Sequence, residues 1–276
     1  MVIHYEYLLY TAAVLLVLLF LVSILQPCEK RGKIALIAAF SLSTCIGIYL
    51  LSLWITLERP PMRSSGETRL WYSFFLPLLG CVLFHNLRQR WIIYYGIFVS
   101  LVFLTINYCK PGIFDKTLMP ALQSPWFIPH VLTYILGYAL FSCSALMAGR
   151  NLYMKLTGRP ISDNILAIRN TVRIGFSLIT LGMLMGAIWA QKAWAHYWGW
   201  DPKEVWALIT WLIYALFLHF DWRVSIQQQQ TEKKWEGRHT VGMNIFLLAA
   251  FAAVLICWFG VNYLSSAADS IHTYRN

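Results

Sequence analysis

The chain has 276 residues, of which 59% are hydrophobic and 12% are charged, and its mean hydropathy is +0.58. Soluble domains carry about 25% charged residues, so the composition excludes an ordinary soluble domain and predicts an integral membrane protein. The formal net charge of +10 does not indicate nucleic-acid binding. The basic residues lie in short segments between apolar ones, where membrane proteins place them.

The apolar segments are about 20 residues long and do not alternate, which favours transmembrane helices over barrel strands. The predicted class is an all-α polytopic membrane helix bundle, taken as a single transmembrane domain over 1–276. No basic segment precedes the first helix and no small-residue cleavage site follows it, so we expect no cleaved signal peptide. The eight predicted helices are 6–25, 34–57, 71–87, 91–107, 129–149, 171–191, 204–222 and 241–264.

The distribution of Lys and Arg predicts the orientation of these helices. The segments 26–33, 86–90, 149–173 and 221–240 hold fourteen of these residues, whereas the other connections and both termini hold eight. Basic residues concentrate on the cytoplasmic side of membrane proteins. We therefore expect both termini to lie on the outer face, together with the tryptophan-rich loop 192–203.

That loop opens the segment WAHYWGWDPKEVWALITW, residues 194–211, which contains five of the chain's 13 tryptophans. Asp201, Pro202 and Glu204 fit the N-cap, N1 and N3 positions of a helix start. Tryptophans at a helix end are usually interfacial anchors, but an anchor role does not account for five together. Indole faces stack on flat π-systems, and Gly199 allows close approach of the backbone. The segment therefore favours a binding site for a porphyrin, lined by Trp194, Trp198, Trp200 and Trp206.

Imidazole is a suitable ligand for haem iron. His130, at the start of the fifth helix, and His272, in the C-terminal tail, share the outer face with the loop and are the candidate axial ligands. His219 follows Asp201 by 18 residues, or ~27 Å along a helix. It therefore lies near the inner end of its span, where ionisable groups are usually functional. His196, inside the loop, is an alternative ligand, and His85 is more typical of a surface residue.

Other residue types contribute less. Haem carboxylates require cations, and we expect most of the available ones to be plain surface charges. Gly182 and Gly186 form a GxxxG pattern that predicts close helix packing. The six cysteines are scattered singly, without a CxxC pair, so neither a redox pair nor a covalent haem site is encoded. The outer-face cations are Lys192, Lys203, Arg275, Arg59, Arg63 and Arg69.

The tryptophan-rich segment resembles the WWD segment of the cytochrome c assembly family. Its DPKE form, the segment Ser124–Tyr138 (SPWFIPHVLTYILGY) and the tail Gly260–His272 (GVNYLSSAADSIH) are similar to the CcsA/ResC branch. The resemblance is strong over 117–276, and the first hundred residues match mainly in their pattern of spans. It implies a multi-pass protein of the cell inner (cytoplasmic) membrane that handles haem b for attachment to c-type cytochromes.

The resemblance also implies roles for individual residues. His130 and His272 would hold haem on the outer face, and His219 would ligate haem in transit from the inner side. The function implied is to present haem for covalent thioether attachment to the CxxCH motif of apocytochrome c. The chain would act by templating, as a component of a cytochrome c synthase, with a CcsB/ResB-type membrane protein as partner. The surrounding haem-binding residues would be Trp194, Trp198, Trp200, Asp201 and Trp206.

Three other functions are compatible with parts of this pattern. A CcmC-like protein would load haem onto a carrier chaperone without attaching it to cytochrome, although such proteins usually have fewer spans. A b-type redox subunit would pair histidines deep within facing helices, whereas the paired candidates here lie on a helix start and a tail. A transporter or scaffold would bind no haem, and purified protein would show no Soret band.

Overall fold

The structure is a computed structural model that describes residue 14 and residues 28–62, 64–87, 91–109, 124–159, 165–231 and 238–263. Over these residues the chain forms seven α-helices, one short 3-10 helix and no strand, which confirms the all-α prediction. The predicted helix 6–25, apart from residue 14, and the tail with His272 lie outside the described residues. The helices are α1 (Cys28–Leu57), α2 (Ser65–Leu87), α3 (Trp91–Cys109), α4 (Phe127–Leu156), α5 (Ile165–Trp194), α6 (Pro202–Thr231) and α7 (Arg238–Trp258), and the 3-10 helix is Gly260–Tyr263.

Six segments of the described helices are long and apolar enough to cross a membrane. They support the predicted polytopic helical membrane bundle. The orientation of the termini and the single domain remain predictions. The six segments are Gly32–Leu57, Trp91–Cys109, Phe127–Leu156, Ile165–Trp194, Pro202–Ile226 and Val241–Trp258.

Several helices are longer than predicted. The predicted helix 204–222 continues to Thr231 in α6, and the predicted helix 171–191 already begins at Ile165 in α5. Hydropathy marks only the part of a helix that suits the ~30 Å hydrocarbon layer. Gln, Lys and Arg are good helix formers, so the hydrogen-bonded backbone continues past the last apolar residue. The non-helical segment at the tryptophans is correspondingly short, because α5 ends at Trp194 and α6 begins at Pro202.

The chain divides into two compact units, Met1–Gln123 and Ser124–Asn276. In the first unit, α2 packs against both α1 and α3. The core of this unit includes fully buried aliphatic side chains from all three helices, among them Ile46, Leu70 and Ile93. Between membrane helices such contacts stabilise mainly by van der Waals packing.

A buried polar network joins the helix ends of the first unit. The Arg59 guanidinium donates to both carboxylate oxygens of Glu67, at 3.0 and 2.7 Å, and the two side chains are 5% and 0% exposed. Arg69 Nε donates to Asn107 Oδ1 at 2.7 Å, and the Asn107 amide donates to the Gly66 carbonyl at 2.9 Å. The network ties the turn after α1 to the start of α2 and the end of α3.

These contacts correct part of the sequence analysis. Arg59 and Arg69 were predicted to be surface charges available to carboxylates, and this prediction was wrong because both are buried. The turn at Pro60 and Pro61 brings Arg59 back to the first turn of α2, where it donates two hydrogen bonds to the Glu67 carboxylate. Arg63 and Arg275 lie outside the described residues.

In the second unit, α4 packs against α5 and α7, and α6 packs against α5 and α7. Glycines bring α4 and α5 together, because a Cβ on Gly137 would lie 2.6 Å from Ile179 Cγ2. A Cβ on Gly182 would lie 2.7 Å from Tyr134 Cδ2, so the predicted close packing at the GxxxG pattern is confirmed. At the centre, the fully buried rings of Phe141 and Tyr214 stack with centroids 3.5 Å apart.

The up-and-down course of these four helices gives the second unit two distinct ends. The starts of α4 and α6 lie with the ends of α5 and α7, and we call this the tryptophan end because it carries 195–201. At the opposite end the carboxylate of Asp221, which is 1% exposed, accepts a hydrogen bond from Arg169 Nε. Arg173 Nη2 lies 3.7 Å from the same carboxylate.

Candidate haem site at the tryptophan end

The backbone between α5 and α6 contains two residues with left-handed φ angles. Ala195, with φ of 64°, follows the last residue of α5. Its N–H donates to the Gln191 carbonyl at 3.0 Å. A left-handed residue at this position ends many helices. Trp200 has a φ of 56°, which for a bulky residue costs about 1–3 kcal/mol and requires support from its surroundings.

The support comes from the start of α6. Glu204 Oε2 accepts the N–H of Gly199 at 2.7 Å and the N–H of Asp201 at 3.2 Å, so it holds the backbone on both sides of Trp200. Asp201 Oδ1 accepts the N–H of Lys203 at 2.9 Å. This is the reciprocal pattern of a capping box. The predicted roles of Asp201 as N-cap and Glu204 as N3 are thereby confirmed.

As a result, the loop presents aromatic side chains outward. The Trp200 side chain is 69% exposed, and its ring meets that of Trp198 edge-on with centroids 6.1 Å apart. Trp198 Nε1 is buried and has no hydrogen-bond partner among the described residues. Buried indole N–H groups usually have a hydrogen-bond partner. A ligand with an acceptor group could accept a hydrogen bond from this N–H.

The Glu204 contacts lead to a first prediction. In Glu204→Ala, we expect the amides of Gly199 and Asp201 to exchange hydrogen roughly 10–150-fold faster, because a hydrogen bond to a charged group contributes about 1.5–3 kcal/mol. Glu204→Gln keeps an acceptor oxygen at the same position and is the control. Hydrogen-exchange mass spectrometry of the full chain measures both variants. Equal exchange in Glu204→Ala, Glu204→Gln and the native chain would show that the carboxylate does not hold the loop.

His130 lies in the first turn of α4, and its ring is held by α5. Its Nδ1 lies 2.7 Å from the carbonyl oxygen of Gly182. A carbonyl can only accept, so Nδ1 carries the proton of this hydrogen bond, and in the neutral form of the imidazole the lone pair is then on Nε2. Histidines that bind metals commonly donate their other N–H to a carbonyl in this way.

Ring contacts connect His130 to the tryptophan loop. The imidazole stacks on Trp189, with centroids 5.6 Å apart and planes 28° apart. Trp189 is 4% exposed, and it meets the ring of Trp194 edge-on at 4.8 Å. An imidazole beside several indoles is a set of groups that fits haem. Trp189 was missed in the sequence analysis, although a tryptophan five residues before Trp194 in an apolar helix was a usable signal.

The remaining residues of the predicted loop site have different surroundings. Trp206 is partly buried in the second turn of α6. The exposed His196 ring folds over Gly199, where a Cβ would lie 2.8 Å from His196 Cε1. Gly199 was predicted to admit a ligand close to the backbone, but at this glycine the close neighbour is His196.

The two cations of this unit that were proposed for haem carboxylates also differ. Lys192 is exposed, and its Nζ lies 5.8 Å from the ring centroid of Trp126. That contact is a cation–π interaction. Lys203 is partly buried in the first turn of α6, beside the Asp201 cap. Lys203 is therefore the better placed of the two beside the loop.

His219 belongs to the second unit but lies away from this cluster, and His85 belongs to the first unit. His219 is exposed on α6, toward the end opposite the tryptophan end, with the rings of Trp222 and Phe220 at 6.0 and 6.4 Å. The structure therefore does not bring His219 to His130. His85 is exposed near the end of α2, in the first unit, in agreement with the surface role predicted for it.

Two buried polar contacts of the second unit were not predicted. Asp221 pairs with Arg169 at the end opposite the loop, and the Tyr138 hydroxyl lies 3.4 Å from Cys257 Sγ in the bundle interior. An acidic residue at the end of an apolar span was a signal for the first contact. No local pattern indicates the second, because the two residues are 119 positions apart.

Comparison with known proteins decides the family. The model of the cytochrome C assembly protein family matches residues 1–268. The chain belongs to this family. The cytochrome c biogenesis protein CcsA of Marchantia polymorpha is 28% identical, over 91% of this chain and 88% of its own length. CcsA of Manihot esculenta is 29% identical, over 83% of this chain and 82% of its own length.

Membership of the cytochrome C assembly protein family gives this multi-pass membrane protein a role in cytochrome c maturation. CcsA of Atropa belladonna is similar to the same extent, with 28% identity over 84% of this chain and 83% of its own length. Because c-type cytochromes carry haem, a role in their assembly implies the handling of haem. The resemblance read from the tryptophan-rich segment is thereby confirmed.

Proposed function

We propose that this chain binds haem b at its tryptophan end and presents it for covalent thioether attachment to the CxxCH motif of apocytochrome c. The observation that supports this most directly is the setting of His130. Its Nδ1 donates to the Gly182 carbonyl, and its ring stacks on Trp189 beside the loop. Haem is here the substrate, and His130 is one axial ligand of its iron.

The other proposed contacts follow from the sequence resemblance. His272 supplies the second axial imidazole, and Trp194, Trp198, Trp200 and Trp206 contact the macrocycle. Asp201 contributes through the backbone, since its carboxylate caps α6 and so sets the position of the loop. Lys203, in the first turn of α6, is the cation we assign to a haem carboxylate.

The chemistry makes modest demands on the protein. In thioether formation the S–H of a cysteine adds across a vinyl C=C bond, sulfur bonding one carbon while hydrogen goes to the other. No atom leaves and no net oxidation occurs, so no protein nucleophile is consumed. The chain can accelerate the reaction by holding the haem vinyl group and the cysteine thiol in position. This effect is large when the reacting groups are well oriented. We therefore assign it as a templating component of a cytochrome c synthase.

His219 is proposed to ligate haem in transit from the inner side of the cytoplasmic membrane. Its imidazole is exposed on α6 between apolar neighbours that are themselves exposed, Leu216 and Phe220. A second ligand at this surface can come from another membrane chain. We propose that a CcsB/ResB-type membrane protein is the partner that covers it.

The test is a reconstitution of the full chain with this partner in lipid nanodiscs. The haem-loaded complex is mixed with an apocytochrome c segment that contains CxxCH, and covalent haem is measured by mass spectrometry and by the shift of the pyridine haemochrome band. The control segment carries SxxSH. We expect product only with CxxCH. Bound haem without any product would favour a protein that loads a carrier chaperone, or a b-type redox subunit, and would overturn the proposal.

A further inference from the structure

Gly186 lies directly against the imidazole of His130. A Cβ built on Gly186 would be 2.5 Å from His130 Cε1 and 2.6 Å from its Nδ1. Atoms in packed protein interiors do not approach so closely. The imidazole therefore occupies the space that any side chain at position 186 would need, so this glycine does more than permit packing of α4 on α5.

Three positions on one face of α5 contact the same ring. Gly182, Gly186 and Trp189 are spaced by four and three residues, so they lie in a row along the helix. The Gly182 carbonyl accepts from Nδ1, a Cβ on Gly186 would meet the Nδ1–Cε1 edge, and the Trp189 indole stacks on the ring. Together they contact the imidazole at Nδ1, along its Nδ1–Cε1 edge and across its face.

We infer that Gly186 is a positioning residue for the iron ligand His130. The inference rests on the proposed function, because it takes His130 Nε2 as the atom that binds haem iron. Distances from a metal to its ligands are held to about 0.2 Å, whereas a methyl group on Gly186 would displace the ring by more than that. Changes in groups that orient a metal-bound histidine typically lower metal affinity 10–100-fold.

The test compares Gly186→Ala with Gly175→Ala in the haem-loaded full chain. Gly175 is the matched control, since it lies on the same helix and a Cβ there would be 2.8 Å from Phe141 Cε1, away from His130. We expect Gly186→Ala to release haem to apomyoglobin 10–100-fold faster and to lose part of its low-spin spectrum. Gly175→Ala is expected to release haem at close to the native rate.

A double-mutant cycle separates positioning from packing. In a His130→Gly background the ring is absent, so the added methyl of Gly186→Ala has no ring to displace. The effect of Gly186→Ala on haem release, and on thermal stability, should then disappear in this background. The effect of Gly175→Ala on stability should be the same in both backgrounds.

Each outcome decides the inference. If Gly186→Ala folds only when His130 is replaced by glycine, the result supports the inference. The loss of folding then reports the clash between the added methyl group and the His130 ring. Equal haem release by Gly186→Ala and Gly175→Ala would overturn it, as would loss of folding by Gly186→Ala in both backgrounds. Failure of the proposed function can be distinguished from failure of this inference. If the proposed function is wrong, His130→Gly itself leaves haem retention unchanged.

Discussion

His130→Gly is expected to lower haem retention by on the order of 100-fold, at or above the upper end of the 10–100-fold loss that outer contacts of a metal ligand cause. The substitution removes the imidazole and leaves a space lined by Gly182, Gly186 and Trp189. Free imidazole fits this space and can donate to the same Gly182 carbonyl. We therefore expect added imidazole to restore part of the low-spin Soret and α bands of the purified full chain.

The matched control is His85→Gly. His85 is exposed, and we propose no haem contact for it, so its removal should leave the spectrum unchanged. A His196→Gly variant tests the alternative ligand in the loop. The assignment of His130 is refuted if its removal leaves the bands intact while His196→Gly abolishes them. Bands that persist in both variants would refute both His130 and His196 as ligands.

Glu67→Gln is expected to lower the free energy of unfolding by about 3–5 kcal/mol, the range measured when one partner of a buried ion pair is removed. The substitution keeps the size of the side chain but removes the charge that faces Arg59, whose side chain is 5% exposed. In the native chain the Arg59 guanidinium makes two hydrogen bonds to this carboxylate, one from each terminal nitrogen. Unfolding in mixed detergent micelles measures the difference.

Glu58→Gln is the control, because Glu58 is the exposed neighbour of Arg59 and carries the same charge. Substitutions at such surface positions usually change stability by less than about 0.5 kcal/mol. Similar losses in the two variants would mean that net charge matters and that the buried pair does not. A larger loss in Glu67→Gln alone would attribute the effect to the turn between α1 and α2.

Local patterns were sufficient for the membrane class, the approximate positions of the described helices and the start of α6. Lipid contains no water to hydrogen-bond a free backbone, so each apolar segment must be helical wherever it lies in the molecule. The capping box at Asp201 and Glu204 depends on residues within five positions of one another. Such short-range geometry can be predicted from residue types and spacing.

Hydropathy was not sufficient to predict where the helices end or which charged residues are buried. Hydropathy underestimates α6 because Gln and Arg continue the helix beyond the apolar part. Arg59 and Arg69 were also misassigned in the sequence analysis, because an arginine between two apolar segments is ordinarily solvated. Their burial depends on Glu67 and Asn107, and Asn107 is 38 residues from Arg69.

The residue types of the candidate site can be recognised in the sequence, because the stacking of tryptophan and the metal binding of histidine are properties of the side chains themselves. The state of His130 was decided only by the packing of α4 on α5. The Gly182 carbonyl that selects its tautomer is 52 residues away, and the glycine and indole beside its ring become its neighbours only when the two helices meet. A contact between distant segments has no periodicity or spacing in the sequence, so tertiary structure alone could supply it.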